Sequence, residues 1–319
     1  MRPSPEISVV IPTYNRPERA RRLLLALADQ TLVPERFEVI AVDNYSADNT
    51  SEVLASLVDQ LPYTLRPLRM SYNRGPAPAR NLGWQSASAP IIAFTDDDCV
   101  PKPEWLAAGL AAMQADPELG VVQGKTTEPE DLDADTLPRW NHRQNILGPS
   151  AHFEACNIFY RRSALAQSGG YDEEIGWWGE DAAAGWKVVE AGWKRGFLAD
   201  AVVIHDVTPR GVWWHIKNGA LEGNMVRLAG RHPGFRRDAF WRPWAYRRED
   251  AAFVAALAGG LVALRWRPGV LLAIPYLWWQ RPSLRNPEFV KIGLEVVAVD
   301  AARSAGQLAA AMRHKVLVI

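Results

Sequence analysis

The sequence predicts an α/β fold. A mainly parallel, doubly wound sheet occupies residues 1–210, and a mostly helical accessory region occupies 211–319. Three observations point there. β-branched runs alternate with helix-period runs through the first part of the chain, which calls for right-handed crossovers between parallel strands. Polar residues cluster where several of the apolar strand runs end. Past residue 210 the alternation stops, and Trp, Arg and long apolar stretches take over.

The elements follow in order. Ile7–Ile11 reads as the first strand, ended by Pro12, and Arg19–Leu27 as a helix. Phe37–Val42 is a second strand, and Asp48–Leu61 a helix with Asp48 as its N-cap. A strand near Leu65–Met70 precedes a helix from about Ala77 to Ser86. Pro90–Phe94, Glu104–Gln114 and Gly120–Gln123 read as strand, helix and strand. Segment 125–150 is polar and aperiodic and reads as a mobile loop. Ser163–Gln167 and Asp181–Ala191 are helices, the second stopped by Gly192, and Phe197–Ile204 is a strand ending at His205.

Composition narrows the function. Hydrophobic residues make up 48 % and charged residues 23 %, enough for a full core. Lys+Arg (36) balances Asp+Glu (36), which argues against a nucleic-acid partner. Two cysteines, Cys99 and Cys156, support neither a disulfide framework nor a cysteine-rich zinc site. The polar start and the absence of a spanning apolar run indicate a cytoplasmic protein. No glycine-rich dinucleotide fingerprint or P-loop is present.

In an open parallel sheet, ligands bind at the carboxyl ends of the strands. Here those ends carry Pro12-Thr13-Tyr14-Asn15-Arg16, Asp43-Asn44 and Thr95-Asp96-Asp97-Asp98. Three adjacent carboxylates repel one another unless a cation is present, and oxygen ligation suits Mg²⁺ or Mn²⁺ shared with phosphates. Extended geometry would point Asp96 and Asp98 the same way and Asp97 opposite. Tyr14 is suited to stacking on a base, and Asp43 to accepting its hydrogen bonds. A surface aromatic and a capping carboxylate are the equal alternatives for those two. Trp177, Trp178 and Gly179 precede a helix start at Glu180-Asp181, so indole faces for a sugar ring stand beside carboxylates fit for general-base work. His205, beside Asp206, is placed to complete a metal site begun by Asp98.

These pieces together resemble glycosyltransferase family 2, which has the GT-A fold. The resemblance rests on Val9–Arg16, Val42-Asp43-Asn44, Asn73-Arg74-Gly75 with Ala79–Gly83, Phe94–Pro101, and Gly169–Glu173 with Gly179-Glu180-Asp181, in that order, and covers about residues 6–206. It implies inverting transfer of a sugar from a nucleotide-diphospho-sugar, UDP first among the carriers, to a hydroxyl acceptor on a glycan, a lipid-linked sugar or a secondary metabolite. By the same resemblance Thr13, Tyr14 and Asp43 hold base and ribose, and Arg80 contacts the donor. Pro12, Arg16, Asn44, Asp96 and Asp97 complete the donor set. Asp98 and His205, with Asp96 of the Asp-x-Asp motif, hold Mn²⁺ or Mg²⁺. Asp181 is the base and Glu180 stands beside it at the acceptor. The usual Gly-Ser after the second strand's acid reads Tyr45-Ser46 here.

From 211 to 250 eight Lys/Arg face four acids, interleaved with Trp213, Trp214, Trp241 and Trp244. The apolar stretches Ala251–Leu264 and Gly269–Trp279 follow. A helical subdomain is the simpler expectation. Peripheral contact with the inner face of the membrane and self-association are the sharper ones. Two competing functions are a nucleotide-sugar-binding protein without catalysis and, ranked lower, a sugar-phosphate nucleotidyltransferase, whose glycine-rich triphosphate loop is missing from Pro12–Arg16.

Overall fold

The computed structural model describes residues 4–132, 137, 139–280 and 288–318. The chain divides into two units, Met1–Leu137 with His142–Thr208, and Pro138–Asn141 with Pro209–Ile319.

The first unit opens with β1 (Ile7–Thr13), α1 (Pro17–Ala28), β2 (Phe37–Asp43), α2 (Thr50–Ser56), β3 (Thr64–Arg69), α3 (Pro76–Ser86) and β4 (Ile91–Phe94). The chain continues with β5 (Cys99–Pro101), α4 (Trp105–Ala115), β6 (Leu119–Thr127), the two-residue β7 (Asn141–His142) at a boundary of the units, and β8 (Ile158–Arg161). Then come α5 (Arg162–Ser168), α6 (Glu180–Glu190), β9 (Lys194–His205) and, at the second boundary, the two-residue β10 (Thr208–Pro209). Eight strands form one sheet in the order β3-β2-β1-β4-β8-β6-β9-β5. The β3-β2-β1-β4 half is parallel, as is β6 with β9, while β8 and β5 pair antiparallel to their neighbours.

The parallel half is covered on both faces, so β1 and β2 are apolar and buried almost throughout. α1 starts with Pro17 at its first turn, where a missing N–H costs nothing, and buries Ala20, Leu23, Leu24 and Leu27 on one stripe. Each such leucine contributes about 1.5–3 kcal/mol. α3 lies close on the sheet because Gly83 has no side chain: a Cβ there would stand 2.3 Å from Val10 Cγ1. That approach fixes α3 against β1 and β2, with Arg80 one turn before the contact.

Three expectations need correction. α2 ends at Ser56, because residues Leu57, Val58 and Gln60 make i→i+3 bonds and the residue before Pro62 disfavours helix. Its N-cap is Asn49; Asp48 sits one residue earlier and accepts the Thr50 amide at 3.0 Å. Segment 125–150 is structured in part: β6 runs on to Thr127, and Thr126 and Ile146 exchange two backbone bonds of 3.0 and 2.9 Å. Residues 133–136 and 138 of that segment lie outside the described ones. The pairing partner is remote in sequence, which local pattern does not register.

The second unit is helical: α7 (Val212–Gly219), α8 (Gly223–Arg231), α9 (Pro233–Ala239), α10 (Arg248–Ala263), α11 (Ile274–Gln280) and α12 (Phe289–His314). Val226, Leu228 and Phe235 are fully buried in it. Among the described residues no helix is long and apolar enough to cross a membrane.

Candidate active site

The site begins where β4 ends. Thr95 is buried, and its hydroxyl donates to the Cys156 carbonyl at 2.9 Å. The chain then turns through Asp96-Asp97-Asp98, closed by the Cys99 amide on the Asp96 carbonyl at 3.1 Å, and enters β5. This turn replaces the extended geometry expected from the sequence. Asp97 and Asp98 therefore reach the same guanidinium, and Asp96 reaches a different one.

Arg16 Nη1 donates to Asp97 Oδ1 at 2.7 Å and to Asp98 Oδ2 at 3.1 Å. Thr13 Oγ1 donates to Asp97 Oδ2 at 2.8 Å. Burial pushes the Asp97 carboxyl up to about 6, with Arg16 working against it. Asp97 is thus enclosed, bracing the loop after β1 against the loop after β4. Pro12 lies within β1, opposite Val42.

Asp98 also takes Arg19 Nη1 at 3.3 Å and stands 3.5 Å from His205 Nε2. β5 pairs with β9 so that Cys99 is opposite His205, which brings the two side chains to one place. Asp98, Cys99 and His205 offer ligand atoms within 4.8 Å of one another. His205 Nδ1 lies 2.7 Å from the Asp206 carbonyl oxygen. A proton on Nδ1 satisfies that carbonyl and leaves the Nε2 lone pair toward Asp98. Burial holds the Cys99 thiol protonated. The oxygen of Asp98 and the nitrogen of His205 would suit a hard divalent cation. Asp96 is outside this group.

Asp96 belongs to a second cluster. Arg80 Nη2 donates to Asp96 Oδ1 at 2.9 Å, and Nη1 to Asp181 Oδ1 at 3.0 Å and Glu180 Oε1 at 3.2 Å. Asp181 Oδ2 accepts the Ala155 amide at 3.0 Å. Burial works against the charge on Arg80, but Asp181, Asp96 and Glu180 hold it well above the ordinary range. Burial raises both Glu180 and Asp181; Asp181 adds to the shift on Glu180, and Arg80 opposes both. Asp181 keeps 23 % of its side chain accessible, against 8 % for Glu180, so Asp181 is the member able to meet a substrate.

The ends of β1 and β2 form a third group. Asp43 accepts the Ser46 amide at 2.9 Å and the Ser51 hydroxyl, and pairs with Arg69 at 3.4 Å. Asn44 donates to Asn73 Oδ1 at 3.2 Å and to the Gly75 carbonyl at 3.0 Å. Tyr14 is exposed beside them. Tyr45 adopts φ +68°, the left-handed region that favours glycine, with Arg69 5.7 Å from its ring centroid. That is where the family's usual glycine would stand.

Before α6, Trp178 also has a positive φ (+69°), and Gly179 at +109° forms the N-cap. Trp177 is exposed. Trp178 meets His142 edge-on at 6.2 Å, and His142 meets His205 at 6.0 Å. Sequence reading missed Arg19, Arg69 and His142. Arg19 lies three residues after Arg16, one helical turn on, and that spacing is the only local signal for it.

The sequence profile described as Glycosyl transferase family 2 matches residues 8–169, just over half of the 319. The chain belongs to this family. Membership makes it a glycosyltransferase. Among curated relatives, this family 2 chain is 27 % identical over 216 residues to "Glycosyltransferase AglE" of Haloferax volcanii, covering 65 % of this chain and 69 % of that one. It is 30 % identical over 273 residues to a validoxylamine A glucosyltransferase of Streptomyces hygroscopicus subsp. limoneus, covering 74 % of this chain and 59 % of the relative. Among solved structures it resembles the mannosyltransferase PcManGT from Pyrobaculum calidifontis, in complex with GDP-Man and Mn²⁺, with a TM-score of 0.71 at 20 % identity. That likeness covers 96 % of this chain and 88 % of the other, and it establishes the GT-A fold.

Proposed function

We propose that this family 2 enzyme transfers a sugar with inversion from a nucleotide-diphospho-sugar to a hydroxyl acceptor, with Asp181 as general base. The reading rests on Arg80, which joins the carboxylate turn after β4 to the start of α6 through Asp96 and Asp181. Donor-side and acceptor-side carboxylates thereby share one pocket edge.

Each group has a task. Tyr14, Asp43 and Asn44 receive base and ribose at the ends of β1 and β2. Thr13, Arg16 and Asp97 hold the loop that frames the diphosphate. Arg80 lies between the two carboxylate groups, where it meets the donor. Asp98 and His205 would hold Mn²⁺ or Mg²⁺, which would supply positive charge to offset that developing on the departing diphosphate. Trp177 and Trp178 present apolar ring faces to the acceptor sugar, and Gly179 opens the helix behind them.

The acceptor oxygen attacks the anomeric carbon as the bond from that carbon to the diphosphate oxygen breaks. The electron pair leaves with the nucleoside diphosphate. The hydroxyl proton passes to Asp181, whose burial makes it a stronger base than an exposed aspartate. One displacement inverts the anomeric centre. Glu180, less accessible and raised in the same direction, holds Arg80 in place.

A panel of UDP- and GDP-sugars with Mn²⁺ or Mg²⁺ tests this. A true donor raises the melting temperature by mass action and yields product of inverted configuration. Stabilisation by no nucleotide sugar, or product with retained configuration, refutes the proposal.

A further inference from the structure

The second unit contains a helical hairpin that is built inside out. α10 turns through Leu264–Trp266 into the 3-10 segment Arg267–Ala273, which leads to α11. The two arms touch along glycines. A Cβ on Gly259 would stand 2.6 Å from the Gly269 carbonyl oxygen, and one on Gly269 would stand 2.8 Å from the Ala263 amide nitrogen. Small residues fill the contact beside the turn, Phe253 and Tyr276 pack on each other farther along with ring centroids 5.3 Å apart, and most of the other large apolar side chains face away. Leu261, Leu264, Trp266, Leu271, Ile274 and Trp278 are each between 54 % and 80 % exposed. A hairpin standing in water buries its leucines and exposes its small residues; close packing on glycine with leucine outward is the arrangement used in lipid.

The charge along the described hairpin has one sign. Residues 251–280 contain two arginines, Arg265 and Arg267, and no carboxylate or lysine. Arg265 and Arg267 flank Trp266 at the turn, all three exposed. α10 has 16 residues, about 24 Å at the helical rise, short of the roughly 30 Å hydrocarbon core. We propose that this hairpin docks on one leaflet of a bilayer carrying anionic headgroups, with leucines in the acyl boundary and the Arg-Trp-Arg turn among the phosphates. Trp and Arg suit that depth, and anionic lipid supplies the counter-charge. A second copy of the chain fits less well. A two-fold contact would set this face against itself, and the described residues 251–280 offer no acid to pair with Arg265 and Arg267.

The test is flotation of the full chain with vesicles of phosphatidylcholine, alone or with phosphatidylglycerol. Binding to the phosphatidylglycerol vesicles that weakens as salt is raised is the expected result. The exposed-site variant Arg265→Gln/Arg267→Gln lowers partition about fivefold per arginine. Leu261→Glu/Leu264→Glu removes binding, with circular dichroism and melting temperature unchanged because both side chains already face outward. Three results overturn the proposal: no flotation on phosphatidylglycerol vesicles, flotation unaffected by the glutamates, or vesicle-free dimerisation that the glutamates abolish. The last assigns the face to a second copy. None of them touches the reading of the catalytic residues.

Discussion

Two arginine-centred clusters, one in each unit, are made of the same parts. Arg80 meets Asp96, Glu180 and Asp181; Arg303 meets Glu222, Asp250 and Asp300. In both, three carboxylates exceed one guanidinium. The Arg303 cluster absorbs the excess internally. Gln307 donates to Asp250 at 2.9 Å, the Tyr276 hydroxyl donates to Asp300 at 2.8 Å, and Arg247 pairs with Glu222 at 3.2 Å. It ties α10 to α12 and is closed, with the Asp250 side chain 1 % exposed. The Arg80 cluster is open on one side, where Asp96 and Asp181 remain 29 % and 23 % exposed. Charge content alone does not separate an accessible cluster at the strand ends from an internal strut. Access and position do.

Breaking each cluster sharpens that contrast. Asp181→Asn keeps the shape and removes the proton acceptor, so transfer should fall about a thousandfold with donor affinity retained. Unchanged turnover would dissolve the distinction. Arg303→Met should act on folding instead. It leaves buried carboxylates short of a cation and costs about 3–5 kcal/mol, read as a lower urea midpoint. Turnover per folded molecule should stay as it was; a loss of turnover at unchanged stability would give the second cluster a role it is not assigned here.

Acidification separates the clusters next. A carboxylate acting as the proposed base must be ionised, and burial raises Asp181 above the ordinary aspartate range. The turnover number should therefore fall as pH drops through that raised value, by about tenfold per pH unit below it. A flat profile down to the ordinary aspartate range contradicts the base assignment. The smallest effect is expected at the acceptor side. Trp177 is exposed, and Trp177→Ala should raise the acceptor KM about fivefold with little change in turnover, as measured by acceptor titration. A matching rise in the donor KM would move Trp177 to the other substrate.

The parallel half of the sheet was readable because continuous β-branched apolar runs and strand-end polarity are local signals: Ile7–Ile11 and Phe37–Val42 both fall inside observed strands. Pairings between distant segments were not. The Thr126–Ile146 bridge joins residues whose own neighbours carry no hint of the contact, and the Arg19–Asp98 pair is hinted at only by the spacing of Arg19 from Arg16. The turn at Asp96–Asp98 was missed for a related reason. Alternation holds only while the strand continues, and three carboxylates find three different arginines (Arg16, Arg19 and Arg80) once the chain bends. The Arg303 cluster carries only the α12 spacing of Asp300, Arg303 and Gln307, and its partners Glu222 and Asp250 come from distant segments.

Calorimetric titration of the cognate nucleotide sugar, with and without Mn²⁺, into the natural chain and Asp98→Asn tests the shared site most directly. Donor binding should depend on the cation, and it should weaken at least about tenfold in the variant. Equal donor affinity in all four titrations would contradict a donor site organised around Asp98.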